Sequence, residues 1–253
     1  MRNFPPLSFL QLATFPSSVF VHGVTRRFGG VSEAPYDSLN VSFGVGDDEV
    51  RVRQNRERIK AALALSCLVS SRQVHEDQVL IVDRKPEKDF EADGYDALIT
   101  DQPGVGLMIQ QADCQAVLLA DSRQKAVGVC HVGWRGSVAN IIGKTITAME
   151  RYFGVDSNDL LAGVSPSLGP CCAEFVNFRQ ELPETFRSFQ PTPEHFDFWS
   201  ISRMQLQAAG VRSENIRIAG VCTVCDTDYF SYRRERKTGR FASVLGMRDV
   251  REE

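Results

Sequence analysis

The hydrophobic pattern in the middle of the chain shows two apolar runs on either side of a short polar segment. They are residues 116–120 and 126–132, around the polar residues 121–124. This pattern predicts a β-hairpin. If the loop is centred between Ser122 and Arg123, Cys114 lies directly opposite His131, with Cβ atoms about 4.5 to 5.5 Å apart. The two side chains could then bind one metal ion or share a proton, whereas a slip of one residue would place them on opposite faces.

Helical periodicity predicts three helices, and short apolar runs bounded by Gly, Pro or polar residues predict strands. The helices are residues 47–65, 138–153 and 196–209. The strands are residues 79–82, 96–100, a run beginning at 160, 216–225 and 239–247, with a strand pattern in 19–45 that is broken by Gly29 and Gly30 and resumes after Pro35. Residues 84–94 are predicted to form an exposed loop. The chain is therefore expected to be one α+β domain over residues 1–253, with mixed β-sheets flanked by helices.

Polar side chains collect where the hairpin strands leave the sheet, as functional residues often do. Asp113 precedes Cys114 and could orient a ligand or act as an acid or base. His75, just before the strand at 79–82, is a candidate third metal ligand, although an isolated His is more often structural. His22 lies inside an apolar run and is predicted to belong to the core.

Two places could hold an anion. Arg26 and Arg27 stand beside two glycines, and Gly allows backbone N–H groups to approach a phosphate that Arg can bind with two hydrogen bonds. A solvated turn is the alternative there. Arg135 precedes the helix at 138–153, whose N-terminal dipole would add to its charge.

Composition narrows the class of protein. The net charge of −3, with 24% charged residues, gives no reason to expect a nucleic acid or a membrane as partner. We expect a small-molecule ligand and a monomer or small homo-oligomer. Prolines interrupt the apolar N-terminus, so it does not match a secretory signal, and seven cysteines suit a reducing compartment. The predicted location is the cytoplasm.

Two cysteine pairs are poor candidates for metal binding by themselves. Cys171 and Cys172 are adjacent, which is poor geometry for chelation, and Cys222 and Cys225 form a lone CxxC motif, which argues against a zinc ribbon.

The order of several motifs resembles the YfiH-type laccase-domain proteins, also described as purine nucleoside phosphorylases. The motifs span about residues 20–246 and include RRFGGVS, SLNVSFGVGD, QNR, RQVHEDQV, ADCQAVLLAD, HVGWRG, SLGPCC, CTVC, SYRR and GR. The resemblance implies one metal ion, usually zinc with copper as the alternative, held by His75, Cys114 and His131. Arg27, Arg135 and Asn40 become candidate phosphate or substrate ligands, with Cys114 and Asp113 as candidate catalytic residues.

The chain departs from the usual pattern of that family at several positions that border the motifs. They are Arg26 for Thr, Gln111 for Thr, Gln115 for Pro, Val132 for Ala, Ser165 for Gly, and Ala173 for an aromatic residue. These positions surround the expected metal ligands. We therefore expect them to affect substrate preference more than metal binding.

The predicted function is zinc-dependent phosphorolysis of adenosine, guanosine or inosine, with purine nucleoside and phosphate as partners and adenosine deaminase as an additional activity. Copper-dependent polyphenol oxidation is a weaker alternative, because four histidines without an HxH pair cannot supply a His-rich copper cluster. A metal-free hydrolase would use Cys114 as nucleophile and His131 as base. A non-enzymatic protein that binds nucleotides or cell-wall precursors is the remaining alternative.

Overall fold

A computed structural model describes residues 6–123 and 125–249. The predicted domain, residues 1–253, and the predicted loop at 121–124 therefore each include positions outside the described residues. The strands are β1 Phe9–Leu10, β2 Phe20–Thr25, β3 Cys67–Arg72, β4 Val79–Val82, β5 Phe90–Asp93, β6 Ala97–Thr100, β7 Val105–Gln111, β8 Gln115–Asp121, β9 Val127–Val132, β10 Leu160–Val164, β11 Ile216–Ile218 and β12 Phe241–Met247. The helices are α1 Glu49–Ala62, α2 Trp134–Val138, α3 Ile141–Phe153, α4 Phe178–Glu181, α5 Phe198–Ala208 and α6 Tyr232–Glu235.

The strands form two six-stranded mixed sheets. The first has the order β1-β2-β12-β7-β3-β5 and the second the order β11-β10-β8-β9-β6-β4. Parallel pairs join β3 to both β5 and β7, β4 to β6, and β10 to β11, and the other pairs are antiparallel. The predicted α+β single domain with mixed sheets is confirmed. None of the described helices is both long enough and apolar enough to span a bilayer.

The two sheets pack face to face around a shared apolar core. Leu107 and Ile109 of the first sheet belong to the same buried cluster as Leu118 and Val129 of the second. Helices α3 and α5 cover the outer face of the second sheet, and α1 covers the first through the fully buried Ile59. Apolar residues therefore fill both faces of each sheet, which explains the nearly continuous apolar runs in β7, β8 and β9.

The central hairpin forms, but its predicted register is wrong. Ala116, not Cys114, pairs with His131, because Ala120 pairs with Val127 and Asp121 N donates to Ala126 O, which shifts the pairing by two residues from the predicted one. The error is two residues, and side chains alternate faces with a period of two. Cys114 therefore keeps the face expected for it and lies diagonally beside His131.

Three further expectations about local structure need correction. The strand β5 lies inside the segment predicted to be a loop. Residues 36–45 do not form the predicted strand. The backbone of this segment bonds to α1 instead, where Asn55 Nδ2 donates to Asn40 O at 2.8 Å. The helix predicted over 138–153 is divided at Asn140, whose φ of 54° ends α2 and whose side chain accepts a hydrogen bond from Gly143 N. Helix α1 is confirmed, with Asp48 as its N-cap.

His22 lies in β2 and is a core residue, as predicted. It is 5% exposed, and Leu12 N donates to its Nε2 at 2.9 Å, a bond that a protonated ring could not accept. Burial lowers the pKa of the His22 imidazole to about 4. The folded protein therefore holds this ring neutral at pH values where the unfolded chain would protonate it.

We expect His22 to make the free energy of unfolding depend on pH. Between pH 6.5 and about 4 the unfolded chain binds the extra proton, so stability falls as the pH falls, by on the order of 3 kcal/mol. His22→Gln keeps an acceptor for Leu12 N and removes the titration. Urea unfolding across this pH range should show a shallower pH dependence for the variant than for the natural chain. Equal slopes would contradict the prediction.

Candidate active site

The three predicted metal ligands lie close together, next to the connections that run from the first sheet to the second. His75 lies in the connection from β3 to β4, Cys114 immediately precedes β8, and His131 lies in β9. One ligand atom of each lies within 4.8 Å of the other two, with 3.9 Å between Cys114 Sγ and His75 Nε2. The imidazole rings are 4.8 Å apart and nearly perpendicular. Their nitrogens and the sulfur thus converge on one point.

A buried carboxylate, Asp96, organises two of these ligands. Its Oδ1 lies 2.8 Å from His131 Nδ1, which leaves Nε2 of that ring to face Cys114. The carboxylate also accepts hydrogen bonds from the backbone N–H groups of Val74, His75 and Glu76, at 2.9 to 3.1 Å. Burial alone would raise the pKa of Asp96, but the His131 partner and these N–H donors lower it. The sequence analysis placed Asp96 only at the start of a strand.

The donor set of the cluster suits a metal ion. Burial alone would raise the pKa of the Cys114 thiol, but the two imidazoles lower it to about 6, which favours the thiolate that binds metals. Two imidazole nitrogens and one thiolate are ligands of both zinc and copper. A Cβ added at Gly133 would lie 3.2 Å from Cys114 Sγ, so a glycine there leaves room beside the sulfur.

Two residues of the site have left-handed backbone conformations that are unusual for residues other than Gly. His75 has a φ of 63° and Asp113 a φ of 89°. Hydrogen bonds hold both: Asp96 binds the backbone around His75, and Asp113 accepts from Thr223 Oγ1 at 2.7 Å and from Arg233 N at 2.6 Å. Such conformations persist where the surroundings fix them, and they often occur at functional sites.

The cluster opens into a cavity of about 930 Å³. Aromatic residues form much of its wall, namely Phe43, Trp134, Phe175, Phe198 and Tyr232. Polar and charged groups line the remainder, including Arg72, Glu91, Gln110, Asp113, Arg233 and Arg240. An apolar cavity of this size with a few converging polar groups is typical of a small-molecule site.

The three predicted phosphate ligands lie outside this wall. Arg27 pairs with Glu235 at 2.6 Å and stacks on Phe230. Asn40 is fully buried and accepts a hydrogen bond from Arg240 N at 2.8 Å. Arg135 is exposed and stacks on Trp134 at 4.7 Å. The sequence could not show that a carboxylate far along the chain neutralises Arg27, nor that Arg72, Arg233 and Arg240 line the cavity instead.

Two departures from the family pattern, Gln111 and Ser165, contact each other. Gln111 Nε2 donates to Ser165 Oγ at 2.7 Å, and this hydroxyl also accepts from Ala116 N. Gln115 Oε1 accepts a hydrogen bond from Ser202. Gln111 and Gln115 also reach the cavity wall. Gln111, Gln115 and Ser165 therefore form side-chain hydrogen bonds next to the start of β8.

We expect Asp96→Asn to lower the metal affinity of the site by about 10- to 100-fold, since groups that orient ligands have effects of this size. The Asn side chain keeps one acceptor oxygen for His75 N and His131. Its NH₂ group would face the N–H groups of Val74 and Glu76, which now donate to Asp96 Oδ2. Competition with a chromogenic chelator measures the affinity. The control is Asp101→Asn, an exposed carboxylate at the other end of β6. Unchanged affinity in a folded Asp96 variant would contradict this role.

Comparisons with known proteins agree with the site and the fold. The model of the family described as multi-copper polyphenol oxidoreductase laccase matches residues 21–248. A purine nucleoside phosphorylase of Bacteroides thetaiotaomicron is 34% identical over 243 residues, covering 88% of this chain and 90% of that protein. A purine nucleoside phosphorylase of Pseudomonas aeruginosa is 36% identical over 237 residues, covering 89% and 93%.

Solved structures agree as well. The crystal structure of YlmD from Geobacillus stearothermophilus has a TM-score of 0.83 and 31% identity, covering 96% of this chain and 100% of that one. The Bacillus licheniformis protein YfiH also has a TM-score of 0.83, with 28% identity over 90% of this chain and 93% of that one. The resemblance inferred from the motifs is confirmed, and the predicted function is the one that the curated relatives carry in their names. The chain belongs to the YfiH-type laccase-domain family.

Proposed function

We propose that this chain is a zinc-dependent purine nucleoside phosphorylase, which converts adenosine, guanosine or inosine and phosphate into free base and ribose 1-phosphate. The observation that carries the proposal is the cluster of two imidazoles and a thiolate beside an aromatic cavity of about 930 Å³. The names of relatives at 34% and 36% identity point to the same reaction.

The cavity wall suits a nucleoside. A purine is flat and largely apolar on its faces, so it can stack on exposed rings such as Phe175 or Tyr232, both of which line the cavity. Gln110 and Glu91 are joined by a hydrogen bond of 2.9 Å at the same wall and offer polar groups to a ribose or to the edge of a base. Stacking would supply affinity, and these groups would supply orientation.

His75, Cys114 and His131 would hold the zinc ion, and Asp96 would fix the orientation of the His131 ring. Three protein ligands leave one coordination position open, and a zinc ion bound in this way supplies a Lewis acid that polarises substrate oxygen or nitrogen. Asp113 uses both carboxylate oxygens to accept protein hydrogen bonds. We therefore assign Asp113 a positioning role at the backbone of Cys114 rather than a proton-transfer role.

Arg240 is the proposed phosphate ligand. It lines the cavity, forms no ion pair among the described residues, and is close enough to Cys114 and Asp113 for their charges to act on it. Asn40 would position the backbone of Arg240, and Arg27 would hold Glu235 at the end of α6. Arg135 remains a candidate anion contact at the mouth, beside Trp134.

The direct test is incubation with inosine or adenosine, with and without phosphate, followed by chromatography of free base and ribose 1-phosphate. We expect base release that requires phosphate and is lost in Cys114→Ala, because that change removes the thiolate ligand. Cys67→Ala, which removes a buried thiol in β3, is the matched control and should retain activity. Adenosine converted to inosine would reveal deamination. Absence of phosphate-dependent release from every purine nucleoside would refute the proposal.

Arg240→Gln should raise the KM for phosphate by about 10- to 100-fold, since a hydrogen bond to a charged group contributes about 1.5 to 3 kcal/mol. Arg240→Lys should restore part of the affinity because it keeps the charge without the planar geometry. Steady-state kinetics at saturating nucleoside measure the effect. Arg212→Gln, an exposed change in the loop before β11, is the control. An unchanged KM for phosphate in Arg240→Gln would show that phosphate binds elsewhere.

Copper-dependent polyphenol oxidation is the second candidate, because the family description names it and two His with one Cys also suit copper. The other two histidines do not extend the cluster: His22 is buried in β2, and His195 lies on the surface.

Metal analysis of protein purified without added ions separates the alternatives. Stoichiometric copper with phenol oxidation would favour the oxidase, and active protein without metal would favour a Cys114 and His131 hydrolase. Zinc-loaded protein inactive on every nucleoside and phenol would favour a binding protein.

A further inference from the structure

Four cysteines from two separate loops meet beside the cavity wall. Cys171 and Cys172 follow β10, and Cys222 and Cys225 follow β11, its parallel neighbour. The four sulfur atoms lie within 4.8 Å of one another, and Cys225 Sγ is 3.7 Å from Cys171 Sγ and 3.6 Å from Cys172 Sγ. The sequence alone indicates poor chelation by the adjacent Cys171 and Cys172 and an isolated CxxC motif at Cys222 and Cys225. The parallel pairing of β10 with β11 brings the two pairs together, and both sulfurs of the adjacent pair contact Cys225 Sγ.

Tetrahedral coordination by four thiolates requires sulfur atoms at this spacing. A Zn–S bond of about 2.3 Å places neighbouring sulfurs about 3.8 Å apart. The sulfurs of a disulfide would be only about 2.05 Å apart, and all seven cysteines of the chain are free thiols in this structure. The distances of 3.7 and 3.6 Å from Cys225 Sγ match the edges of such a tetrahedron, and the other sulfurs lie within 4.8 Å of one another.

The turn from Cys222 to Cys225 directs backbone N–H groups at a sulfur. Gly169 N donates to Cys222 Sγ at 3.3 Å, and the N–H groups of Val224 and Cys225 act on the same sulfur. N–H donors to sulfur stabilise the thiolate form, which is the form that binds metals.

Four adjacent thiolates repel one another unless a positive charge lies between them. A divalent ion would supply that charge and displace the thiol protons.

We propose that Cys171, Cys172, Cys222 and Cys225 bind one zinc ion as a structural site, separate from the cluster around Cys114. Four thiolates fill the tetrahedral shell, so this ion has no open position for a substrate. Soft sulfur ligands select zinc over magnesium or calcium. The site does not depend on the proposed phosphorolysis.

The ion would join the loop after β10, which forms part of the cavity wall, to the loop after β11. Leu168 and Glu174, on either side of the first cysteine pair, line the cavity. Arg233 Nη1 donates to Cys172 O at 3.3 Å, and Thr223, inside the second turn, donates to Asp113. A structural zinc here would therefore fix the residues that hold Asp113 and, through it, the backbone of Cys114.

The test is the zinc content of protein purified without chelators, measured by plasma mass spectrometry. We expect two zinc ions per chain in the natural protein, one in Cys114→Ala, one in the double variant Cys171→Ser/Cys225→Ser, and none when all three changes are combined. Cys67→Ala, which removes a thiol outside both clusters, should retain two. Cys114→Ala leaves the four cysteines intact, so it tests the proposal even if the double variant fails to fold.

Cobalt gives an independent readout in the Cys114→Ala protein. One Co²⁺ per chain should produce strong thiolate absorption bands, and adding Cys171→Ser and Cys225→Ser should abolish them. Zinc-free Cys114→Ala, iron in place of zinc, or a double variant that still holds two zinc ions would each overturn the proposal. Loss of phosphorolysis with both ions retained would instead count against the proposed function alone.

Discussion

The carboxylate of Asp96 is the interaction on which the cluster depends. It is fully buried and accepts three backbone N–H groups from the connection between the sheets while it binds the ring of His131. A buried carboxylate without partners would be strongly unfavourable, so each of these bonds stabilises the others. One side chain thereby sets the backbone of His75 and the ring orientation of His131. The position of Cys114 is fixed separately, through Asp113.

The two-sheet architecture explains why such a site can form here. The chain leaves the first sheet at the ends of β3, β5 and β7, and each time it enters the second sheet within a few residues. The first crossing contains His75, the second contains Asp96, and the third contains Asp113 and Cys114. Short crossings force unusual backbone angles, which the hydrogen bonds to Asp96 and Asp113 then hold in place. The ligands are therefore fixed by backbone, and not only by side-chain rotamers.

The sequence predicted the features that depend on the local pattern of apolar residues. It did not predict which strands distant in the chain lie next to each other in the sheets. Apolar periodicity identified α1, the hairpin and the side of the sheet that Cys114 shares with His131, and an error of two residues in register did not change that side. It could not reveal that β6 lies next to β9, which is what brings Asp96 beside His131. For the same reason it left the four cysteines as two pairs, and it did not predict that Arg240 lines the cavity.

Asp113 links the cluster at Cys114 to the loops that carry the other four cysteines, and the two clusters differ in the number of ligands that they offer. The cluster at Cys114 offers three candidate ligands and faces a large cavity, whereas the four-cysteine cluster offers four sulfur atoms, enough to fill the tetrahedral shell of one ion. Thr223 and Arg233, which bond to Asp113, belong to or contact the loops that carry the four cysteines. In the proposed arrangement the closed ion gives these surface loops the rigidity that a small apolar core cannot supply. The open site can then keep its strained backbone next to solvent.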